Sequence, residues 1–145
     1  ENFFEKISVV EDAITAFQTG GVLAMHDPTE GGVAGGIHEM ADAAKVGFQV
    51  YEEKILVPEE TGRICKFFEI DPLQLISSGS LLISAKKEKA KEIVNRLSQN
   101  GVYASIIGET RKPSFGRKMV TRKGEKTDLV RPISDHLWIA LAKQL

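Results

Sequence analysis

The chain has one cysteine, Cys65, in 145 residues, which excludes an internal disulfide framework and fits a reducing compartment. It also lacks an apolar run of about 18 residues and a charged, then apolar amino terminus ending in a cleavage site. The expectation is a cytoplasmic protein with no membrane partner. Charge of one sign is missing too: 19 Lys and Arg stand against 20 Asp and Glu. No net field therefore draws the chain to nucleic acid. The basic cluster of Arg111, Lys112, Arg117, Lys118, Arg122 and Lys123 is local and reads as the solvated rim of a hairpin. The three histidines, His26, His38 and His136, show no ligand spacing such as His-x-x-x-His, so no metal site is expected from this chain alone. Aromatics are scarce, with a single tryptophan, Trp138. Its helical spacing with Leu137 and Leu141 reads as core packing, and so does Cys65 beside Ile64, Phe67 and Phe68.

What is present is ordinary for one soluble domain spanning residues 1–145, with 42% apolar and 27% charged residues. Ile7, Val10, Ala13, Ile14 and Phe17 recur at three- and four-residue spacing and predict a helix over 7–17, with that stripe inward and Gly20-Gly21 at its end. Val22–Met25 reads as a short buried strand. A second helix is expected over 33–44, with Ile37, Met40, Ala41 and Ala44 inward and Gly47 as its stop, followed by an alternating strand over 48–51. Pro58-Glu59-Glu60 opens a helix that continues through Ile64 and Phe68. Asp71-Pro72 breaks the chain. A strand over 80–85, a helix over 87–97 and a strand over 102–108 follow, with Asn100-Gly101 capping that helix. Residues 111–116 read as a flexible turn, 118–121 and 128–130 as a hairpin around Lys123-Gly124, and Trp138, Ile139 and Leu141 as part of a terminal helix. The rhythm is that of an α/β layer architecture.

The most informative stretch is Met25-His26-Asp27-Pro28-Thr29-Glu30-Gly31-Gly32-Val33-Ala34-Gly35-Gly36, which joins a strand to a helix. Such a glycine-rich loop can turn backbone N–H groups toward an anion at a helix N-terminus. It can equally be a tight connection in which Asp27 or Thr29 caps the helix and the glycines serve close packing. The spacing matches neither the P-loop nor the dinucleotide fingerprint.

The order His-Asp-Pro-Thr-Glu-Gly-Gly after a Val-Leu-Ala-Met strand resembles the carboxyl-terminal domain of the aminoimidazole ribonucleotide (AIR) synthetase superfamily. The Asp-Pro-Thr-x-Gly-Gly form is most similar to the hydrogenase maturation family HypE and AIR synthase-related proteins, where Arg is common at the position of Glu30. Val57-Pro58, Asp71-Pro72-Leu73, Ser78-Gly79-Ser80-Leu81-Leu82 and Ile106-Ile107-Gly108-Glu109 continue the likeness in order. The resemblance implies a mixed sheet covered by helices, of α/β (α+β) class and partly ferredoxin-like. It also implies an ATP-dependent synthetase or dehydratase-like enzyme, in which ATP and Mg are held mainly by an amino-terminal domain. That domain would be this chain's partner and the route to a homodimer, and none of its acidic, Gly-rich metal-binding strands occurs in these residues. The chain ends Ala140-Leu141-Ala142-Lys143-Gln144-Leu145, without the family's terminal cysteine, so its thiocyanate chemistry is not carried over.

Asp27 is the expected catalytic carboxylate. His26, Thr29, Glu30, Gly31, Gly32, Ser78 and Gly79 are the expected substrate- or anion-binding residues, with Ser77, Ser78 and Gly79 reading equally well as a plain turn. Gly32→Val is expected to keep the fold and lose function. Two functions stay open: the substrate-side domain of an ATP-dependent enzyme, inactive alone, or a non-catalytic binding or regulatory module that retains the fold. The reading frame upstream of Glu1 separates them.

Overall fold

The computed structural model describes residues 7–143. In chain order the elements are α1 (Val10–Thr19), β1 (Val22–His26), α2 (Gly32–Ala44), β2 (Gly47–Tyr51), α3 (Glu59–Phe68), β3 (Leu82–Ala85), α4 (Lys87–Gln99), β4 (Gly108–Arg111), β5 (Arg117–Val120), β6 (Lys126–Asp128) and α5 (His136–Ala142). Short 3₁₀ turns occupy Glu52–Lys54, Pro72–Gln74 and Pro113–Phe115. The chain forms two compact units. One comprises residues up to Asp27 together with Ser78–Ile106, and the other Pro28–Ser77 together with the chain from Ile107 onward.

In the first unit β1 and β3 pair antiparallel, His26 opposite Leu82 and Val22 opposite Ala85, with an irregularity between Val22 and Ala24. Ala16 of α1 is fully buried beside Ile93 and Leu97 of α4, and Val22, Ile83, Ala85, Val102 and Ala104 pack against this cluster. The expected inward stripe of α1 is not what is buried. Val10, Ile14 and Phe17 are 59%, 43% and 70% exposed, because the small Ala16 side chain is the one that lets the two helices approach. The expected strand over 102–108 is also corrected: residues 102–107 are irregular and the strand starts at Gly108. Val102 and Ala104 join the first unit's core, whereas Gly108 already pairs with Val50 in the second unit. A stretch that passes from one unit to the other at Ile106/Ile107 does not run as one strand.

The second unit is built on a mixed four-stranded sheet in the order β4-β2-β5-β6. β2 is antiparallel to β4 and parallel to β5, and β5 and β6 form the expected hairpin, with Lys118 opposite Asp128. The central position of β2 explains why its first four residues are all buried instead of alternating as the sequence suggests. Gln49, inside this strand, donates from Nε2 to the Tyr51 hydroxyl at 2.8 Å. Helix α2 buries Ala34, Ile37, His38 and Ala41, and the expected inward residue Ala44 is exposed. The helix stops at Lys45, in the left-handed conformation, whose N–H reaches Ala41 and Asp42 carbonyls, rather than at Gly47. Cys65 is buried as expected, but with Ile70, Ala140, Phe68 and Leu75. Ile64 and Phe67 are 54% and 80% exposed. Trp138 is 56% exposed, which overturns its expected core role. On this short helix Ala140 is the buried position. The segment expected to be a flexible turn is the end of β4 and a 3₁₀ turn, with Phe115 under the Lys126 ammonium at 4.5 Å.

Candidate functional site

The loop leaves β1 at His26. Asp27, Thr29 and Glu30 expose their side chains, whereas Pro28, Gly31 and Gly32 are buried. The Gly32 N–H donates to the Thr29 carbonyl at 3.0 Å, closing a turn in which Gly31, at φ 77° and ψ 0°, has the third-residue dihedrals of a type II turn. Gly32 opens α2 with φ +61°. A Cβ there would lie 2.3 Å from the Leu75 carbonyl oxygen and 2.7 Å from that of Leu73, so only glycine fits. No side chain caps α2; the expectation that Asp27 or Thr29 does so is corrected, because the left-handed Gly31 takes the cap position itself.

The expectation that the Gly31 and Gly32 amides face an anion is corrected as well. Gly32 N–H is spent on Thr29, and Gly31 N–H donates at 2.7 Å to Oδ2 of Asp135, a carboxylate 4% exposed. The two glycines contribute shape. Thr29 stays exposed, whereas Ala34 in the first turn of α2 is 1% exposed.

The wall beside Gly32 is the Asp71–Leu75 segment. Asp71 caps its 3₁₀ turn, accepting from Leu73 N–H at 2.9 Å and from Gln74 Nε2 at 3.0 Å. Ser77 donates its hydroxyl to the Pro28 carbonyl at 2.9 Å. Ser78 and Gly79 lie in a turn before β3, Gly79 at φ 92°. Of the expected site residues, Thr29, Glu30, Gly31 and Gly32 fall in the second unit. His26, Asp27, Ser78 and Gly79 fall in the first. The chain crosses between the units at 27/28 and again at 77/78.

Sequence reasoning missed the network behind the loop. His38, 4% exposed, lies between the Leu129 carbonyl, 3.0 Å from Nε2, and Arg117 Nη1, 3.0 Å from Nδ1. A carbonyl only accepts and a guanidinium only donates, so the ring is the neutral tautomer with its proton on Nε2. Burial lowers the His38 pKa below its ordinary 6.5, against the Leu129 hydrogen bond; Arg117 and Arg131 lower it further and Asp42 opposes them. Asp42 binds both Arg117 and Arg131, the latter at 2.7 Å, and these hydrogen bonds hold its carboxyl below the usual range. The basic hairpin is locally neutralised elsewhere too, Lys118 by Asp128 at 2.7 Å and Arg122 by Glu52 at 3.7 Å. Among the described residues no group of three or more His, Cys, Asp or Glu side chains could hold a metal ion, and no helix is long and apolar enough to cross a membrane.

Residues 4–118 match the family described as AIR synthase related protein, C-terminal domain. A Methanocaldococcus jannaschii protein named for hydrogenase expression and formation is 34% identical over 105 residues, 71% of this chain and 31% of that protein. The carbamoyl dehydratase HypE of Rhizobium leguminosarum bv. viciae is 34% identical over 86 residues, 58% of this chain and 25% of that protein. A solved structure of the hydrogenase maturation protein HypE in complex with ATP superposes with a TM-score of 0.73 at 27% identity, covering 79% of this chain and 37% of that one. The matches thus span about a quarter to a third of the curated relatives' length. A mixed sheet with helices agrees with those matches, and the chain belongs to the AIR synthase-related family as a C-terminal domain.

Proposed function

We propose that this chain is the substrate-side domain of a HypE-like, AIR synthase-related ATP-dependent enzyme, and that it works with an ATP-binding amino-terminal domain outside these residues. One observation carries the reading. Three polar side chains, Asp27, Thr29 and Glu30, are exposed on a backbone whose intervening and following residues, Pro28, Gly31 and Gly32, are buried. Fixed backbone with projecting polar groups is the arrangement that positions a substrate. The likeness to a HypE solved with ATP supports ATP as the co-substrate. Mg would accompany ATP on the amino-terminal domain, through which the protein would also dimerise.

In this reading Asp27 is the catalytic carboxylate, accepting a proton from or orienting a donor of the substrate. Thr29 and the start of α2 bind a phosphate or carboxylate group. His26, Ser78, Gly79 and Glu30 are further candidates for substrate binding. The internal use of the Gly31 and Gly32 amides favours a second reading, a non-catalytic binding module that keeps the fold. Asp27→Asn in the full-length protein separates the two. The enzyme reading expects substrate-dependent ADP formation to fall about 100-fold, the typical weight of a positioned acid or base, with the unfolding midpoint unchanged. Unchanged turnover, or no turnover in the parent protein with its cognate ATP-binding domain, supports the module.

A further inference from the structure

The turn that shapes the site is fastened from a part of the chain beyond the family match, which ends at residue 118. We propose that Asp135 is the positioning residue of the Thr29–Gly32 turn, and that with His136 it latches that turn and the Asp71 turn together. The inference rests on the reading of this loop as the site.

Gly31 and Gly32 both have positive φ, a backbone that glycine permits but does not by itself fix in one conformation. Asp135 supplies the fixing bond. Its Oδ2 accepts the Gly31 N–H and its Oδ1 accepts the Leu137 N–H, both at 2.7 Å. The second bond caps α5. The first reaches 104 positions back along the chain and is charge-assisted in a buried place, where such bonds are strongest. The residue type follows from the count of acceptors. A carboxylate offers two oxygens for two N–H donors, whereas an asparagine offers one and must leave a buried donor unpaired. The next residue, His136, accepts the Asp71 N–H on Nδ1 at 2.9 Å. Asp71 in turn caps the segment whose Leu73 and Leu75 carbonyls wall in Gly32. Pro132 packs 3.5 Å from the Cβ position of Gly31. Upstream, the same strap is tied to α2 through Leu129 to His38 and Arg131 to Asp42.

Asp135→Ser is the discriminating variant, because serine still caps α5 through Leu137 but offers only one short acceptor and does not reach Gly31. In the full chain, amide NMR of the variant should show Leu137 protected as before. Gly31 should lose the downfield shift of a carboxylate-bonded amide and exchange about tenfold faster or more, the factor implied by losing a hydrogen bond to a charged group. Unchanged Gly31 shift and exchange overturn the proposal. If the variant does not fold, the parent protein still decides: a Gly31 amide exchanging as fast as that of exposed Thr29 overturns it. Inorganic phosphate, titrated into both proteins, should move Thr29 and Val33 in the parent and do so more weakly in Asp135→Ser. Phosphate that moves neither, with the Gly31 signature intact in the parent and lost in the variant, removes the anion reading and supports the latch.

Discussion

Gly32 shows how one position couples site and fold. A short run of glycines after an Asp leaves open whether they make room for a ligand or for the protein itself. The carbonyl oxygens of Leu75 and Leu73, 2.3 and 2.7 Å from a would-be Cβ, favour the protein. The expectation that Gly32→Val keeps the fold therefore reverses, since a side chain there meets backbone that no rotamer change can move. Gly32→Ala should already cost about 3 kcal/mol, combining left-handed strain with a backbone clash. Urea denaturation of the variant checks this, and a midpoint within error of the parent would show that Leu73–Leu75 yields readily. Thr29 and Asp27, with exposed side chains and no place in the packing of the turn, are where substitution should touch function and spare stability.

At the scale of elements, α2 is held at both ends by groups far away in sequence: Asp135 at the Gly31 turn, and Arg117 and Arg131 at Asp42. Its middle carries a pH dependence. His38 is neutral in the fold and its pKa is lowered from 6.5, so the unfolded chain binds a proton more readily. The stabilisation is fully present above pH 6.5 and is lost as pH falls toward and through the depressed folded value. Protonation would also set an Nδ1–H against the Arg117 guanidinium. The unfolding free energy should fall as the pH drops below about 6.5, with a slope from this group of at most about 1.4 kcal/mol per pH unit, and His38→Gln should flatten that part of the profile. An unaltered profile in the variant would assign the slope to other groups. The helices also show why periodicity misled. Ile14 and Phe17 of α1, and Trp138 of α5, are the large apolar residues that a pattern assigns to the core, yet Ala16 and Ala140 are the buried ones. Close helix packing selects the small face, and pattern alone does not say which apolar face meets a neighbour.

For the whole molecule, the chain's match to about a quarter to a third of its relatives' length sets the scale of what it does by itself. Phosphoryl transfer needs a metal clamp and phosphate donors. In the proposed reading those belong to the amino-terminal domain. The purified 145-residue chain should therefore form no ADP from Mg-ATP above background in a coupled assay. Metal-dependent turnover abolished by Asp27→Asn would place the catalytic half within these residues.

The sequence by itself determined the elements, the family and the loop. Helical periodicity, Pro58 and the Asn-Gly and Lys-Gly turns suffice for most element positions, and the ordered motif His26–Gly32 suffices for the family, because these signals are local. Tertiary structure alone decided that the Gly31 amide belongs to Asp135, that His38 is a neutral bridge between Arg117 and Leu129, and that the chain passes from one unit to the other between Ile106 and Ile107. The physical reason is separation along the chain. A buried donor is satisfied by whichever acceptor the fold brings within about 3 Å, and for Gly31 that acceptor lies 104 residues away, where no local pattern records it.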